Sequence, residues 1–334
     1  MINVKMNHIV YHLPDKCITN VELAKQFSDY TPDQIFKRTG IKKRFHTTRD
    51  VIGSDLAFVA AEKLFSDADF EKDKVEFLIF VTEGLDCVAP ASAIILQDRL
   101  GLPNNIGAID VPLGCSGFTH ALGLGSTLIR SGQVKNVLIL FGDTPSLVSH
   151  PEDFHLVSLF SDAGAAVWLE EAERGGIGNF VYGTDGSGAK SLSVDGSLFR
   201  QPMDVNWLNK YKDVGGMPTG RMQMNGLDIL SFSLQKVPKL VGDILAKNET
   251  DFEEIDFFVF HQASNIILKS LQRKMRIPDE KMVYCIADYG NTVSISIPLA
   301  LKELGKGSKI FPGAKVLIAG FGIGFSWSGT ILQY

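Results

Sequence analysis

The chain is poor in cysteine, in surplus charge of either sign and in long apolar runs. Its four cysteines, Cys17, Cys87, Cys115 and Cys285, are scattered without a CxxC pair, which excludes a disulfide framework and a four-cysteine zinc site. The 33 Lys and Arg against 38 Asp and Glu leave a net charge of −5, so neither nucleic acid nor an anionic membrane is expected as a partner. Residues 1–14 mix Asn, His and Lys among the apolar residues, unlike a signal peptide. The most apolar stretches, Phe77 to Val81 and Val137 to Phe141, are too short to cross a bilayer, and a cytoplasmic protein is expected. The histidines include no HExxH pair, so no metal and no cofactor is called for. What is present is an ordinary globular balance, 45% hydrophobic and 21% charged over 334 residues, long enough for two packed halves.

Short apolar runs alternate with longer amphipathic segments, as when Phe77 to Val81 is followed by Ala91 to Leu100 with apolar residues at helical spacing. This pattern predicts an α/β fold whose strands are covered on both faces. The sequence also echoes itself. Lys74 to Thr82 resembles Glu254 to Gln262, Lys135 to Gly142 resembles Ala314 to Gly322, and between them Gly114-Cys115-Ser116 stands where the second half has Gly290-Asn291-Thr292. One such pair could arise by chance; three in the same order predict duplication. The charged and glycine-rich stretch from Glu170 to Gly178 places the junction, giving an N-terminal half at 1–175 and a C-terminal half at 176–334. The weakly periodic stretch from Thr184 to Gly226 reads as an insertion of the kind that covers active sites.

Several motifs fail. In Gly183 to Ser191 an extra Ala189 separates Gly188 from Lys190, which spoils a phosphate loop; Gly322-Ile-Gly324 lacks the third glycine of a dinucleotide fingerprint; Gly324 to Ser328 lacks the second glycine of a nucleophile elbow. Cys115 differs in context, because Ile109 to Phe118 runs from an apolar strand through a glycine turn into a helical segment. A thiol at a helix N-terminus is expected to ionise more easily, although a free cysteine taken alone is more often a small buried hydrophobe. His261 ends an apolar strand and Asn291 sits in Tyr-Gly-Asn-Thr. Each alone reads as a structural residue or a turn former. Together, Cys, His and Asn at three strand-to-helix transitions, with the glycine loop Gly320 to Phe325, supply the nucleophile, ring and amide that thioester chemistry requires.

At this point the sequence resembles the β-ketoacyl-acyl-carrier-protein (ACP) synthase III family of the thiolase-like superfamily. The resemblance is carried by Arg38-Thr-Gly-Ile41, Cys115-Ser-Gly-Phe118, Asp162-Ala-Gly-Ala-Ala166, Asp185-Gly-Ser187, His261-Gln-Ala263, Tyr289-Gly-Asn-Thr292 and Gly320 to Trp327, spread over nearly the whole chain. It implies a duplicated five-layer αβαβα sandwich with mixed sheets, Cys115, His261 and Asn291 as catalytic residues at the base of a tunnel, and a homodimer. The implied reaction is acyl transfer from acyl-CoA or acyl-ACP to Cys115, then decarboxylative condensation with malonyl-ACP, in fatty-acid initiation or a related specialised pathway. Backbone N–H groups of Cys115 and Ile323 would hold the oxyanion. Neutral His261 and Asn291 would stabilise the enolate.

Departures from the family pattern bear on the substrate. Where members using acetyl-CoA have an adenine-sandwiching tryptophan and arginine, this chain offers Gln34 or Ile35 and Phe154, so that Phe154 is expected to stack adenine alone or a carrier-bound donor to replace CoA. Ser264 replaces an entrance asparagine, and Lys269, Arg273, Lys274 or Arg276 would dock the carrier protein, unless they are simply a solvated helix face. Ala89 before Pro90 replaces an aromatic and predicts room for a primer larger than acetyl, while Ile323 replaces a glycine. Arg38 and Thr39 complete the expected substrate-binding set. A thiolase would need a second cysteine in the C-terminal glycine loop, and a hydroxymethylglutaryl-CoA synthase a glutamate base that the sequence does not place. An acyltransferase forming esters or amides from the same acyl-cysteine is the alternative enzyme. A noncatalytic acyl-carrier-binding homologue is the alternative outside enzymes.

Overall fold

A computed structural model describes residues 2–67, 70–195, 204–206, 220–307 and 310–334; residues 196–203 and 207–219 of the predicted insertion lie outside the described residues. The first half runs β1 (Asn3–His12), β2 (Cys17–Thr19), α1 (Asn20–Gln26), α2 (Pro32–Thr39), β3 (Lys43–Phe45), α3 (Gly53–Asp67), β4 (Phe77–Val81), α4 (Ser92–Arg99), β5 (Gly107–Val111), α5 (Gly117–Arg130), β6 (Asn136–Asp143), α6 (Phe154–Leu159) and β7 (Ala163–Ala172). The second half runs β8 (Gly176–Ile177), β9 (Val181–Thr184), β10 (Leu192–Asp195), β11 (Arg221–Met224), α7 (Gly226–Lys247), β12 (Phe257–Phe260), α8 (Asn265–Met275), α9 (Ile286–Tyr289), α10 (Ser296–Lys306), β13 (Lys315–Gly322) and β14 (Ser326–Gln333).

Two five-stranded sheets organise these elements. One has the order β1-β7-β6-β4-β5; the other has β12-β13-β14-β8, with β9 also paired to β14. The echoes seen in the sequence fall at equivalent places. The β4–β6 and β12–β13 pairs are both parallel, and β6–β7 and β13–β14 are both antiparallel. Both sheets are therefore mixed, and their central strands are apolar on both faces because helices cover both.

The layers follow from which residues each face buries. Phe118, Ala121, Leu122 and Ile129 of α5 and Ile297, Leu299, Ala300 and Leu301 of α10 pack between Ile79, Ile139 and Val167 of the first sheet and Val259, Val316 and Ile318 of the second. On the outer face of the first sheet, Leu78, Phe80, Leu138 and Leu140 meet Ala57, Ala60, Ala61 and Leu64 of α3 and Ala93 and Leu96 of α4. On the outer face of the second, Phe258, Phe260, Leu317 and Phe321 meet Val237, Leu240 and Ile244 of α7 and Leu268 and Leu271 of α8. The order is helix, sheet, helix, sheet, helix, as the family resemblance implies. Successive residues of each central strand point to opposite faces, which assigns odd and even positions to different layers.

Candidate active site

Cys115 sits in the short turn between β5 and α5. Gly117 N–H donates to the Gly114 carbonyl at 2.7 Å to close that turn. A β-carbon at Gly117 would come 2.6 Å from Val81 Cγ1, so glycine there lets the helix start against the sheet. Ser116 Oγ lies 2.6 Å from Ser326 Oγ, and Thr119 Oγ1 lies 2.5 Å from Ser328 Oγ. The first turn of α5 is thereby tied to β14 of the other half.

The glycines of Gly320 to Phe325 are needed for close approach. A β-carbon on Gly322 would lie 2.5 Å from Cys115 Cβ and 2.8 Å from its sulfur, and one on Gly320 would lie 3.2 Å from the Cys115 carbonyl oxygen. Only a bare α-carbon lets β13 pass over the nucleophile turn. The loop after it is pinned by Asp185, whose N–H and carbonyl exchange hydrogen bonds with Phe325, each at 2.8 Å. Asp185 also accepts from the N–H and hydroxyl of Ser187. The main-chain N–H groups of Ile323 and of Cys115 itself lie close enough to the Cys115 sulfur to favour its anion. Two donors thus lie beside the thiol.

His261 follows β12, its N–H donating to the Ala319 carbonyl at 2.9 Å. Its Nδ1 lies 2.7 Å from Ser296 Oγ, and the ring is also hydrogen-bonded to the Val293 backbone. Burial lowers its pKa to about 3, so the imidazole is neutral throughout the physiological range. Asn291 is fixed at both ends of its amide: Nδ2 donates to the Ala263 carbonyl at 3.1 Å and Oδ1 accepts from Val293 N–H at 2.9 Å. Val293 links these groups to the surroundings of the thiol, since its side chain belongs to the same apolar cluster as Cys115. It does so at φ 53°, a strained conformation for a β-branched residue of the kind found where the surroundings dictate geometry. The structure therefore brings Cys115, His261, Asn291 and Ile323 together.

One sequence expectation needs correction. Cys115 is only 5% exposed, and its thiol is pushed up rather than down. Burial is the main cause, followed by the Glu83 carboxylate, with Asp143 adding to them; the two N–H groups oppose this without overcoming it. Desolvation of the anion outweighs the favourable helix end. Around the sulfur, Leu156, Phe160, Leu192, Met222 and Val293 form an apolar cluster with Met224 and Ile323 at its margin.

The expected substrate-binding residues are more dispersed. Phe154 is 8% exposed, its ring stacked on Tyr30 at 4.1 Å and met edge-on by Phe27 at 5.4 Å. It is a buried underlay for Tyr30 rather than an open face for adenine. Arg38 is exposed with its guanidinium 5.0 Å from the Tyr30 ring centre. Ile35 is fully buried, and Gln34 closes a capping box with Thr31. Thr39 Oγ1 donates to the Ile35 carbonyl and accepts from Ile41 N–H, finishing α2 before Gly40 at φ 71°. Ser264 is the N-cap of α8, accepting from Ile267 N–H at 3.2 Å. Ala89 is exposed, within a segment from Glu83 to Pro90 that is exposed except at half-buried Asp86. Cys285 is half-buried with its thiol pushed upward by burial, and Cys87 is exposed.

A carboxylate pair, Asp143 buried and Glu83 exposed, escaped the sequence reading. Glu83 and Asp143 follow β4 and end β6, and the only signal was an acidic residue at the C-terminal end of each apolar parallel strand, where sites form in α/β sheets.

Comparison with known proteins settles the family. Residues 109–186 match the 3-oxoacyl-[acyl-carrier-protein (ACP)] synthase III family and residues 245–334 match its C-terminal region. A β-ketoacyl-[acyl-carrier-protein] synthase III of Xanthomonas oryzae is 32% identical over 326 residues, covering 97% of this chain and 96% of the relative. The chain belongs to the 3-oxoacyl-ACP synthase III family. A 3-oxoacyl-ACP synthase III crystal structure superposes with a TM-score of 0.92 at 37% identity, covering 99% of this chain and all, 100%, of the other. The 3-oxoacyl-ACP synthase of Burkholderia xenovorans gives 0.89 at 34% identity, covering 99% and 94%. These full-length matches establish the thiolase-like synthase III fold and the acyltransferase, condensing-enzyme class. Among the described residues, no helix is long and apolar enough to cross a membrane.

Proposed function

We propose that Cys115 is the acyl-carrying nucleophile of this condensing enzyme, acting on an acyl-CoA or acyl-ACP donor and then on malonyl-ACP. The observation that carries this reading is the placement of the Cys115 and Ile323 N–H groups beside the sulfur, where the oxygen of a tetrahedral intermediate would need two donors. The thiolate attacks the donor carbonyl and the acyl group stays on sulfur when the donor thiol leaves. Malonyl thioester then loses CO2, and its enolate oxygen is met by neutral His261 and by the Asn291 amide. Buried neutral donors suit that task, since they stabilise developing charge without first being desolvated. The enolate carbon attacks the acyl-cysteine, forming the new carbon-carbon bond.

The apolar cluster of Leu156, Phe160, Leu192 and Met222 around the sulfur supports an alkyl primer, and Ala89 in place of a larger residue supports one longer than acetyl. A homodimer is supported by β5, an edge strand of its sheet. On or beside it are exposed apolar residues, Leu85 at 36%, Val88 at 60%, Ile94 at 50% and Ile109 at 38%. Carrier-protein docking is supported by Lys269 and Arg273, which line a cavity of about 530 Å³ with Asn265 and Tyr284.

The decisive experiment incubates the protein with a radiolabelled acyl donor. Label on wild type and none on Cys115→Ala is expected, and equal labelling of both would defeat the assignment.

A further inference from the structure

A carboxyl group to which the acyl-transfer reading gives no task lies beside the nucleophile turn. A β-carbon on Gly114 would come 2.3 Å from the Glu83 carboxyl carbon and 2.4 and 2.5 Å from its oxygens, so this group is packed on the residue that immediately precedes Cys115. The Glu83 N–H donates to Asp143 Oδ1 at 3.0 Å. The other Asp143 oxygen accepts from the Ser294 N–H at 3.1 Å and from the Ser294 hydroxyl. Because β4 and β6 are parallel neighbours, both carboxyl groups emerge at the same end of the sheet.

No basic side chain among the described residues contributes to the field at either group. Two neighbouring carboxylates without a cation oppose each other's ionisation. Asp143, with its three donors, takes the charge. Glu83 is pushed up, first by the protein crowding its carboxyl group and then by the Asp143 charge. Glu83 as a whole residue remains exposed in the single chain, which tempers that shift and gives its proton access to water.

The thiol needs such a partner. Burial opposes its ionisation, and His261, at about 3, is too weak a base to remove its proton near neutrality. The charged and titratable groups facing Glu83 are Asp143 from β6 and Cys115 from the turn before α5.

We propose that Glu83 is the general base of the acylation half-reaction, taking the Cys115 thiol proton and returning it to the departing donor thiol. The inference rests on Cys115 being the nucleophile. The S–H bond breaks as the proton passes to the Glu83 carboxylate. The Cys115 sulfur bonds to the acyl carbon, and the carbonyl electron pair moves onto oxygen at the Cys115 and Ile323 N–H groups. Collapse of that intermediate breaks the donor C–S bond, and the leaving thiolate takes the proton from Glu83.

Single-turnover labelling of Cys115 with radiolabelled octanoyl-CoA, followed from about pH 6 to about pH 10, tests this. Wild type should label faster as pH rises and Glu83 loses its proton. Glu83→Gln should label about 100-fold more slowly near neutrality and lose that limb. Alkylation of Cys115 by iodoacetamide at alkaline pH should be undiminished or faster in Glu83→Gln, because removing a neighbouring negative charge eases thiol ionisation. These opposite responses separate a base from a packing residue. Labelling of Glu83→Gln within about threefold of wild type with the same pH profile would overturn the proposal, as would a parallel fall in labelling and alkylation. Label persisting on Cys115→Ala, or absent from wild type, would instead defeat the nucleophile assignment and this proposal with it.

Discussion

Gly322 and Cys115 touch across the two halves of the molecule: a methyl group on Gly322 would meet the Cys115 β-carbon at 2.5 Å and the sulfur at 2.8 Å. Gly322→Ala therefore has to displace either the end of β13 or the nucleophile. It is expected to cost about 1–3 kcal/mol of stability, as overpacking does, and to reduce Cys115 acylation about 100-fold by moving the oxyanion donors. Thermal denaturation and acyl labelling of the same preparation check both.

In the proposed mechanism His261 and Asn291 serve the second half-reaction rather than the first. His261→Ala and Asn291→Ala should each lower condensation with malonyl-ACP about 100-fold or more while leaving acyl labelling of Cys115 far less affected. Rapid-quench measurement of the two steps separates them, and selective loss of acylation in both variants would contradict the roles.

The neutral state of His261 has a consequence for acid stability. Its folded pKa, about 3, lies below the ordinary 6.5, so the unfolded chain binds more protons between those values. The contribution of this group is present above about pH 6.5 and is lost as pH falls toward about 3. Asp143 and Asp162, both raised to about 6, act in the opposite sense, their contribution weakening as pH rises through that range. His261→Gln should therefore make unfolding midpoints less sensitive to acid below about pH 6 than wild type. Denaturant titrations at several pH values measure this.

Acyl preference should respond to Met222 and Leu192, which belong to the cluster around the sulfur. Met222→Ala or Leu192→Ala should shift the ratio of kcat/KM for longer over shorter acyl donors about tenfold toward the longer, the scale expected for a few methylenes in an apolar pocket. An unchanged ratio would place the chain elsewhere.

The exposed β5 edge predicts the oligomeric state. Ile109→Lys should shift sedimentation from dimer to monomer, because a buried unpaired ammonium opposes association. Wild type sedimenting as a monomer would refute the dimer.

The sequence alone determined the α/β layering, and its motifs singled out Cys115, His261 and Asn291 as the trio proposed to react. Strand periodicity is local, and the reactive residues stand beside glycine turns whose neighbours in the chain identify them. The purpose of those glycines was legible only as a loop of close approach, while its target, the Cys115 sulfur, became visible once β13 lay over the start of α5. Tertiary structure decided the electrostatics. Glu83, Asp143 and Ser294 come from three distant segments, and their meeting beside Cys115 turned an expected easily ionised thiol into one that burial and nearby carboxylates keep protonated. It also hid Phe154 beneath Tyr30 and turned Ser264 into a helix cap. A pKa or an open ring face depends on how much protein surrounds a group and which charges lie near it, and chain order does not encode either until the halves are packed.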